Sequence, residues 1–239
     1  MTESRLGKLV GGVWLPESET HFEDMMLRNR KGVRIVAGKH TYQYHKLEAT
    51  LRHQPADRRR VCLDIGGHVG LWAMWLTEAF DTVHAFEPVL AHAALFERNV
   101  DMRKARLHRL ALGRESGSVS IAVPLEQTGG AHVATRLGNP GTKYNPVGAS
   151  ETWHGVPMVT LDSLGIEEVD LIKIDVEGFE LPVIDGGRET IARWQPNIVI
   201  EQKGNEAAYG EPRDAAVARL KSWGMTDLEV IAGDHIMGW

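Results

Sequence analysis

The sequence predicts an α/β domain built around a mostly parallel sheet. Short apolar runs alternate along the chain with longer segments of helical periodicity, and four of the runs end in or run directly into an acidic residue. Strands and helices that alternate in this way form a parallel sheet whose two faces are both covered. At 239 residues, the chain is long enough to bury such a core as one unit.

The core elements follow one another from residue 61. The apolar run 61–65 predicts the first strand, and Leu71, Met74 and Trp75 share one face of a helix over about 70–79. The same periodicities predict the later elements. These are a strand at 82–86, a helix at 89–102, a strand at about 106–111, an antiparallel edge hairpin within 113–124, a strand at 169–175, a helix at about 179–194, a strand at 197–201, a helix at about 212–223, and two closing strands near 227–231 and 235–239.

The region before the core is predicted to be helical. Residues 1–55 are expected to form an extension that packs on the core domain, 56–239. One helix would begin at an N-cap, Ser18, and run through Arg30, and a second would occupy 41–54.

A long segment within the core domain is a candidate substrate loop. Residues 124–157 hold four prolines and six glycines and show no clear periodicity. Segments of this kind are often binding loops, so His132, Trp153 and His154 are expected to face a substrate. The alternative is a solvated excursion without a binding role.

The turn after the first strand indicates a nucleoside-like ligand. Asp64 lies at the strand end, and Gly66, Gly67 and Gly70 follow within a few residues. Glycines let the backbone approach a ligand closely, and the N–H groups at the start of the next helix add partial positive charge. Glu87 ends the second strand, where an acid usually accepts hydrogen bonds from both hydroxyls of a ribose.

The glycine spacing separates two classes of cofactor. In the dinucleotide pattern, counted from Gly66, the second glycine position falls on His68 and the third on Leu71. No Gly-Lys-Ser/Thr follows the turn, so a phosphate-binding loop is also excluded. The pattern acid-x-Gly-x-x-x-Gly, from Asp64 to Gly70, instead resembles motif I of the class I S-adenosylmethionine-dependent methyltransferases.

Motifs in the second half resemble one family of these enzymes. The segments 159–164, 169–180, 182–187 and 197–201 occur in the order found in the FkbM methyltransferases, most of which are O-methyltransferases. The resemblance implies a Rossmann-like class I fold with a mostly parallel seven-stranded sheet, helices on both faces and an antiparallel C-terminal strand. It also implies S-adenosyl-L-methionine as cofactor, S-adenosyl-L-homocysteine as product, and a hydroxyl of a small molecule or sugar as acceptor.

The resemblance assigns a set of cofactor-binding positions. Asp64 and the turn would hold the amino-acid tail of the cofactor, and Glu87 its ribose. His68 stands where the family commonly has a small polar residue. Apart from the resemblance, helices of the extension would close over the cofactor with Tyr42, Gln43 or Tyr44 touching it; the alternative is that these residues only pack against the core. The full set is Asp64, Gly66, Gly67, His68, Gly70, Glu87, Pro88 and Ala111.

Three acids are the candidate catalytic residues. Asp175 and Glu177 follow the fourth core strand and Glu201 ends the fifth, so all three point toward one crevice at the carboxyl ends of the strands. They could supply the base that removes the hydroxyl proton, hold the substrate, or bind a hard divalent cation, which is not expected because no motif requires it. A structural reading has Glu177 capping the next helix at its dipole, and Lys173 paired with Asp175.

Composition excludes several other functions. A net charge of −5 gives no reason to expect a nucleic acid partner. The single cysteine, Cys62, lies in an apolar strand, which rules out a disulfide framework and a multi-cysteine metal site. No signal-peptide pattern or apolar stretch of ~18 residues is present, so we expect a cytoplasmic protein without a membrane partner.

Two alternatives remain open at this level. Glu87 would also suit the ribose of a nicotinamide cofactor, although the Tyr-x-x-x-Lys pair of many such oxidoreductases occurs only as Tyr42 and Lys46, upstream of the fold. The other alternative is a non-catalytic domain that binds the cofactor without turnover.

Overall fold

The computed structural model describes residues 7–28, 33–134 and 151–239. In these ranges the strands are β1 (Gly7–Val10), β2 (Val13–Pro16), β3 (Ile35–Val36), β4 (Lys39–His40), β5 (Val61–Ile65), β6 (Thr82–Phe86), β7 (Ala105–His108), β8 (Ala111–Leu112), β9 (Gly117–Pro124), β10 (His132–Val133), β11 (Glu151–Val159), β12 (Val169–Ile174), β13 (Asn197–Glu201), β14 (Thr226–Ile231) and β15 (Asp234–Gly238). The helices are α1 (His21–Leu27), α2 (Tyr44–His53), α3 (Ala73–Ala79), α4 (Leu90–Asn99), α5 (Glu180–Gly186), α6 (Arg188–Trp194) and α7 (Ala215–Ser222). Short 3-10 turns lie at Thr128–Gly130, Asp162–Leu164 and Asn205–Tyr209.

The main sheet has seven strands in the order β14–β15–β13–β12–β5–β6–β7. The five strands from β13 to β7 run parallel, and β15 is antiparallel to both of its neighbours. An α/β fold with a mostly parallel seven-stranded sheet and an antiparallel C-terminal strand is therefore confirmed.

The central strands bury both of their faces. Leu63 and Ile172 pack into a cluster with α5, α6 and α7, whereas Cys62 and Leu171 pack into another with α2 and α3. Because successive side chains of a strand point to opposite faces, these neighbours separate into the two clusters. The apolar runs that predicted the strands are thus runs buried on both sides.

The hairpin predicted within 113–124 does not lie at the edge of the main sheet. Strand β9 belongs to a separate four-stranded sheet with the order β10–β9–β11–β8. The predicted strand 106–111 is divided, since β7 stays in the main sheet and Ala111 pairs with Met158 of β11. Two strands, β10 and β11, occupy part of the predicted loop 124–157, whose residues 135–150 lie outside the described residues.

Several predicted core helices are shorter than expected or divided. The first core helix begins at Ala73, because Gly70 has a φ of +87° and interrupts the helical path before it. The helix predicted over 179–194 breaks into α5 and α6 at Gly186 and Gly187. A Cβ on Gly186 would lie 1.9 Å from the carbonyl oxygen of Gly113, so the backbones meet there.

The N-terminal region contains two hairpins as well as two helices. Strands β1 and β2 form one hairpin, and β3 and β4 form the other. Ser18 does not cap α1: Thr20 is the N-cap, and a carboxylate oxygen of Glu19 accepts the N–H of Phe22 at 2.9 Å. Helix α1 ends at Leu27, and Arg30 lies outside the described residues.

Helix α2 agrees with the predicted helix over 41–54. Leu47 is buried in the same cluster as Trp72 and Leu76, and Tyr44 and Leu51 pack against that cluster. Across the part of the chain that the structure describes, no helix is both long and apolar enough to cross a membrane.

Candidate active site at the carboxyl ends of the strands

The glycine turn joins the ends of three strands. The N–H groups of Gly66 and Gly67 both donate to the carbonyl of Phe86, at 3.1 and 3.0 Å, at the end of β6. Gly66 has a φ of +82°, and a Cβ there would lie 1.9 Å from the carbonyl oxygen of Asp175, which follows β12. Only glycine fits this position, so the turn brings β5, β6 and β12 into backbone contact.

Behind the turn lies a buried ion pair that the sequence did not predict. Lys173 Nζ is 3.1 Å from Asp64 Oδ1 and donates to the carbonyl of Gly66 at 2.8 Å. Burial lowers the pKa of Lys173, but the carboxylates of Asp64 and Asp175 outweigh burial and leave that pKa above its usual value. Lys173 therefore carries a charge and ties the strand-end acid to the turn. The expected contact between Lys173 and Asp175 is replaced by this pair.

Glu87 holds the turn from the other side. Its Oε2 accepts the N–H of His68 at 2.9 Å, and its Oε1 accepts the N–H of Val89 at 2.8 Å. An ionised carboxylate has about four acceptor positions, so both oxygens keep capacity for ligand hydroxyls. The carboxylate is 5% exposed and lies at the wall of a cavity.

Two cavities meet at the turn. The first has a volume of about 340 Å³ and the second about 70 Å³, and both are lined by Gly66, His68, Gly129 and Asp175. Of the predicted cofactor-binding residues, Gly67 lines only the first cavity, and Glu87, Pro88 and Ala111 line only the second. Asp64 and Gly70 line neither one. Gly70 instead packs against Val100, and a Cβ on it would lie 2.4 Å from that side chain.

The second cavity is mostly apolar. Its walls come from the ends of β5 and β6, from the four-stranded sheet and from the segment after β12, and they include Leu112, Ile121, Val133 and Phe179. His132 of the predicted substrate loop also lines it. His154 lies on β11 and lines neither cavity. The side chain of Trp153 is not among the side chains that the structure describes.

The three candidate acids converge beside the first cavity. Oxygen atoms of Asp175, Glu177 and Glu201 all lie within 4.8 Å of one another. Asp175 lines both cavities and Glu177 lines the first, whereas Glu201 lies behind them and lines neither. The three acids predicted to face one crevice thus lie close together, but Glu201 does not reach either cavity, and their chemical roles remain predictions.

Burial and mutual repulsion divide the protonation states of the three acids. Burial raises the pKa of Glu177 well above its usual value, and the charge of the neighbouring Asp175 raises it further. The same two causes, in the same order, raise the pKa of Glu201 to about 8. Burial would raise the pKa of Asp175 as well, but Lys173 and Lys203, together with a hydrogen bond involving Glu201, hold it below its usual value. The cluster therefore combines Asp175, which gives up its proton more readily than usual, with two carboxyl groups that hold a proton more strongly than usual.

Glu177 does not cap the helix that follows it. The N–H groups of Val176 and Gly178 donate to Glu180 Oε1, at 3.2 and 3.0 Å, so Glu180 takes that role. Glu177 Oε2 instead accepts the side-chain amide of Asn205 at 2.6 Å. Glu177 also has a φ of +54°, a conformation that is costly for a residue with a side chain and is concentrated at functional sites.

The N-terminal region supplies one wall of the first cavity. Phe22, Tyr42 and Gln43 line it, and the rings of Phe22 and Tyr42 meet edge to face with centroids 4.7 Å apart. Burial raises the pKa of the Tyr42 hydroxyl above its usual value, so that hydroxyl keeps its proton. Tyr44 instead packs edge-on against Trp75, with centroids 5.8 Å apart.

Two lysines of the site were missed from the sequence. Lys203 lines the first cavity and forms an ion pair with Glu201. Lys46 of α2 is buried, with its Nζ 2.5 Å from Asp234 of β15 and 3.6 Å from Glu201. Lys203 could have been found from its place two positions after a strand-end acid. The Lys46–Asp234 pair spans 188 positions, and no local pattern reveals it.

This chain is similar to known proteins that are described as methyltransferases. The family described as Methyltransferase FkbM domain matches residues 64–224. The protein called Methyltransferase 1 from Beauveria bassiana (strain ARSEF 2860) is 27% identical over 192 residues, covering 70% of this chain and 77% of that protein. The crystal structure of Methyltransferase FkbM from Methylobacillus flagellatus KT is 15% identical with a TM-score of 0.44, over 70% of this chain and 36% of that one. This chain thus spans about a third of the length of that solved structure.

Proposed function

This chain belongs to the FkbM methyltransferase domain family, and on that basis we propose that it is an S-adenosylmethionine-dependent O-methyltransferase of the class I, Rossmann-like type. The acceptor is a hydroxyl of a small molecule or sugar. The observation that carries the proposal is the ionised Asp175 at the junction of the two cavities, since it faces the sites of both reactants.

The residues around the turn fit S-adenosylmethionine. The second cavity combines apolar walls with the Glu87 carboxylate, as the adenine and ribose of a nucleoside require. Gly66 leaves no room for a side chain and exposes backbone to both cavities. Gly67 and Lys173 line the first cavity beside the turn, where they would face the amino-acid tail, and Asp64 would act on it through Lys173.

The chemistry divides between the cofactor and the protein. When bound, S-adenosylmethionine supplies a methyl group on a sulfonium, whose C–S bond breaks with both electrons staying on sulfur. Asp175 receives the proton of the acceptor hydroxyl, since it is ionised and within the cavity. Glu177, whose raised pKa favours its protonated form, donates a hydrogen bond and orients the acceptor oxygen. Holding that oxygen in line with the methyl supplies much of the rate.

The first cavity suits a hydroxylated acceptor. Its volume, about 340 Å³, lies in the usual range for small-ligand sites, and Gln43, Tyr42 and the acids offer hydrogen bonds. The Asn/Asp-Pro-Pro-aromatic turn of many amine methyltransferases is absent after β12, where the chain reads Asp175-Val176-Glu177-Gly178. The family match favours methyl transfer over the nicotinamide alternative. We also propose that the N-terminal region, 1–55, acts as a cover for this cavity.

Calorimetric titration with S-adenosylhomocysteine tests the cofactor assignment, with NAD and NADP as controls. We expect saturable binding of S-adenosylhomocysteine alone. A panel of sugars and hydroxylated small molecules, incubated with a methyl-labelled donor, then tests the reaction. Binding of NAD without S-adenosylhomocysteine would refute the proposal, and so would transfer of label to amines only.

A further inference from the structure

Three buried or half-buried lysines surround the acidic cluster, and two of them are committed elsewhere. Lys173 pairs with Asp64 behind the glycine turn, at 3.1 Å. Lys46 pairs with Asp234 at 2.5 Å and reaches Glu201 only at 3.6 Å. In the described residues, Lys203 pairs with an acid of the cluster itself, Glu201, which Lys46 also approaches.

Lys203 lies where it can serve all three acids. It follows Glu201 by two positions, forms an ion pair with that carboxyl group, and lines the first cavity together with Asp175 and Glu177. The Lys203 ammonium therefore faces the first cavity from beside the acids.

The cluster has the composition of a site for a hard divalent cation. Three carboxyl groups with oxygens within 4.8 Å of one another match the oxygen ligands that Mg²⁺ and Mn²⁺ prefer. In this chain the Lys203 ammonium is already in contact with one of these acids. A second cation of twice the charge would have to displace it.

We propose that Lys203 is the resident cation of this site and takes the place that a divalent metal ion would occupy among Asp175, Glu177 and Glu201. Its ammonium stabilises the negative charge that develops on the acceptor oxygen as the O–H bond breaks and the proton passes to Asp175. The role in methyl transfer rests on the proposed function, whereas the replacement of a metal ion can be tested without any acceptor.

Titration with Mn²⁺ tests the replacement directly. Wild type, Lys203→Ala and Lys203→Gln are titrated by calorimetry at pH of about 7.5, with Lys221→Ala as the control. Lys221 pairs with Asp227 outside the site, so Lys221→Ala removes one positive charge from the protein without altering the acidic cluster. We expect no binding in wild type and control, and one Mn²⁺ per chain in both Lys203 variants, with a Kd of about 0.1–1 mM as in weak oxygen-ligand sites.

Three outcomes would overturn the inference. Stoichiometric Mn²⁺ binding to wild type that is lost in Asp175→Asn would make the cluster a metal centre. Absence of binding in both Lys203 variants would show that the acids do not form a cation site. With an acceptor from the panel, we expect the turnover of wild type to be insensitive to EDTA. We expect the turnover of Lys203→Gln to be about 10²–10³-fold lower than that of wild type. An unchanged kcat in Lys203→Gln would exclude Lys203 from catalysis.

The two proposals fail in different measurements. S-adenosylhomocysteine binding, measured in the same samples, should be equal within about twofold for wild type and both Lys203 variants. Its absence from wild type would refute the cofactor assignment whatever the result with Mn²⁺.

Discussion

Replacing Lys173 with methionine would leave the Asp64 carboxylate buried without a countercharge. Asp64 is fully buried and Lys173 is 5% exposed, so water cannot take the place of the lost ammonium. Removing one partner of a buried ion pair costs about 3–5 kcal/mol. The carbonyl of Gly66 also loses its hydrogen bond, which adds about 0.5–1.5 kcal/mol. We therefore expect the free energy of unfolding of Lys173→Met to fall by about 4–6 kcal/mol.

Urea unfolding followed by circular dichroism measures this loss. Lys104→Met is the matched control, because Lys104 donates to the carbonyls of Thr77 and Phe80 and has no carboxylate partner in these contacts. Its loss should be about 1 kcal/mol. The double variant Asp64→Asn/Lys173→Met removes both charges, so it should recover most of the stability that Lys173→Met loses.

The pH dependence of the single variant follows from the same carboxylate. Burial raises the pKa of Asp64 in the folded protein, and Lys173 opposes that rise. Without the lysine the folded-state pKa lies further above the unfolded value, so the destabilisation is present at neutral pH and shrinks as the pH falls and Asp64 is protonated. A loss below about 1 kcal/mol, or a gap from wild type that widens toward acid pH, would refute the buried-pair argument.

Further predictions concern the cofactor, the base and the cover. Glu87→Gln should weaken S-adenosylhomocysteine binding about 10–100-fold by calorimetry, because charged acceptors form the stronger hydrogen bonds. The control Glu97→Gln, on the surface, should bind like wild type. Equal affinities of Glu87→Gln and wild type would remove Glu87 from the site. Asp175→Asn should lower methyl transfer about 10²–10⁴-fold in a labelled-methyl assay while cofactor affinity stays within about tenfold; an unchanged rate would place the base elsewhere. Gly129→Ala puts a Cβ 2.4 Å from the Phe22 ring and should weaken cofactor binding severalfold. The control Gly155→Ala, whose new Cβ has no heavy atom within 4 Å, should bind the cofactor like wild type. Equal binding by Gly129→Ala and wild type would show that the contact between Gly129 and Phe22 does not shape the cavity.

Local patterns predicted the central strands and the acids at their ends. Strands β5, β6, β12 and β13 are short and mostly apolar runs, because both of their faces are buried. The acid that ends or follows each run marks the edge where the ligand binds. This is why the sequence placed Asp175, Glu177 and Glu201 together before their distances were known.

The second sheet and the Lys46–Asp234 pair were missed because they depend on pairing across long stretches of chain. Ala111 pairs with Met158, and no periodicity within either segment specifies its partner. Ser18 is a favourable cap by residue type, yet a carboxylate oxygen of buried Glu19 caps the Phe22 N–H instead. In the same way, the glycines at 186 and 187 follow a helical pattern in sequence, but close packing against Gly113 divides the helix.

The Lys46–Asp234 pair sets the order in which the site can be completed. Lys46 lies on α2, near the start of the chain, and Asp234 begins β15, the antiparallel strand that is inserted between β14 and β13. During synthesis from the N-terminus, a nascent chain already contains the glycine turn and all three acids long before residue 234 leaves the ribosome. Until β15 takes its place, Lys46 has no partner in Asp234 and Glu201 has no fixed neighbour at that edge. The acidic crevice therefore has its full charge balance only when β15 has joined the sheet beside β13.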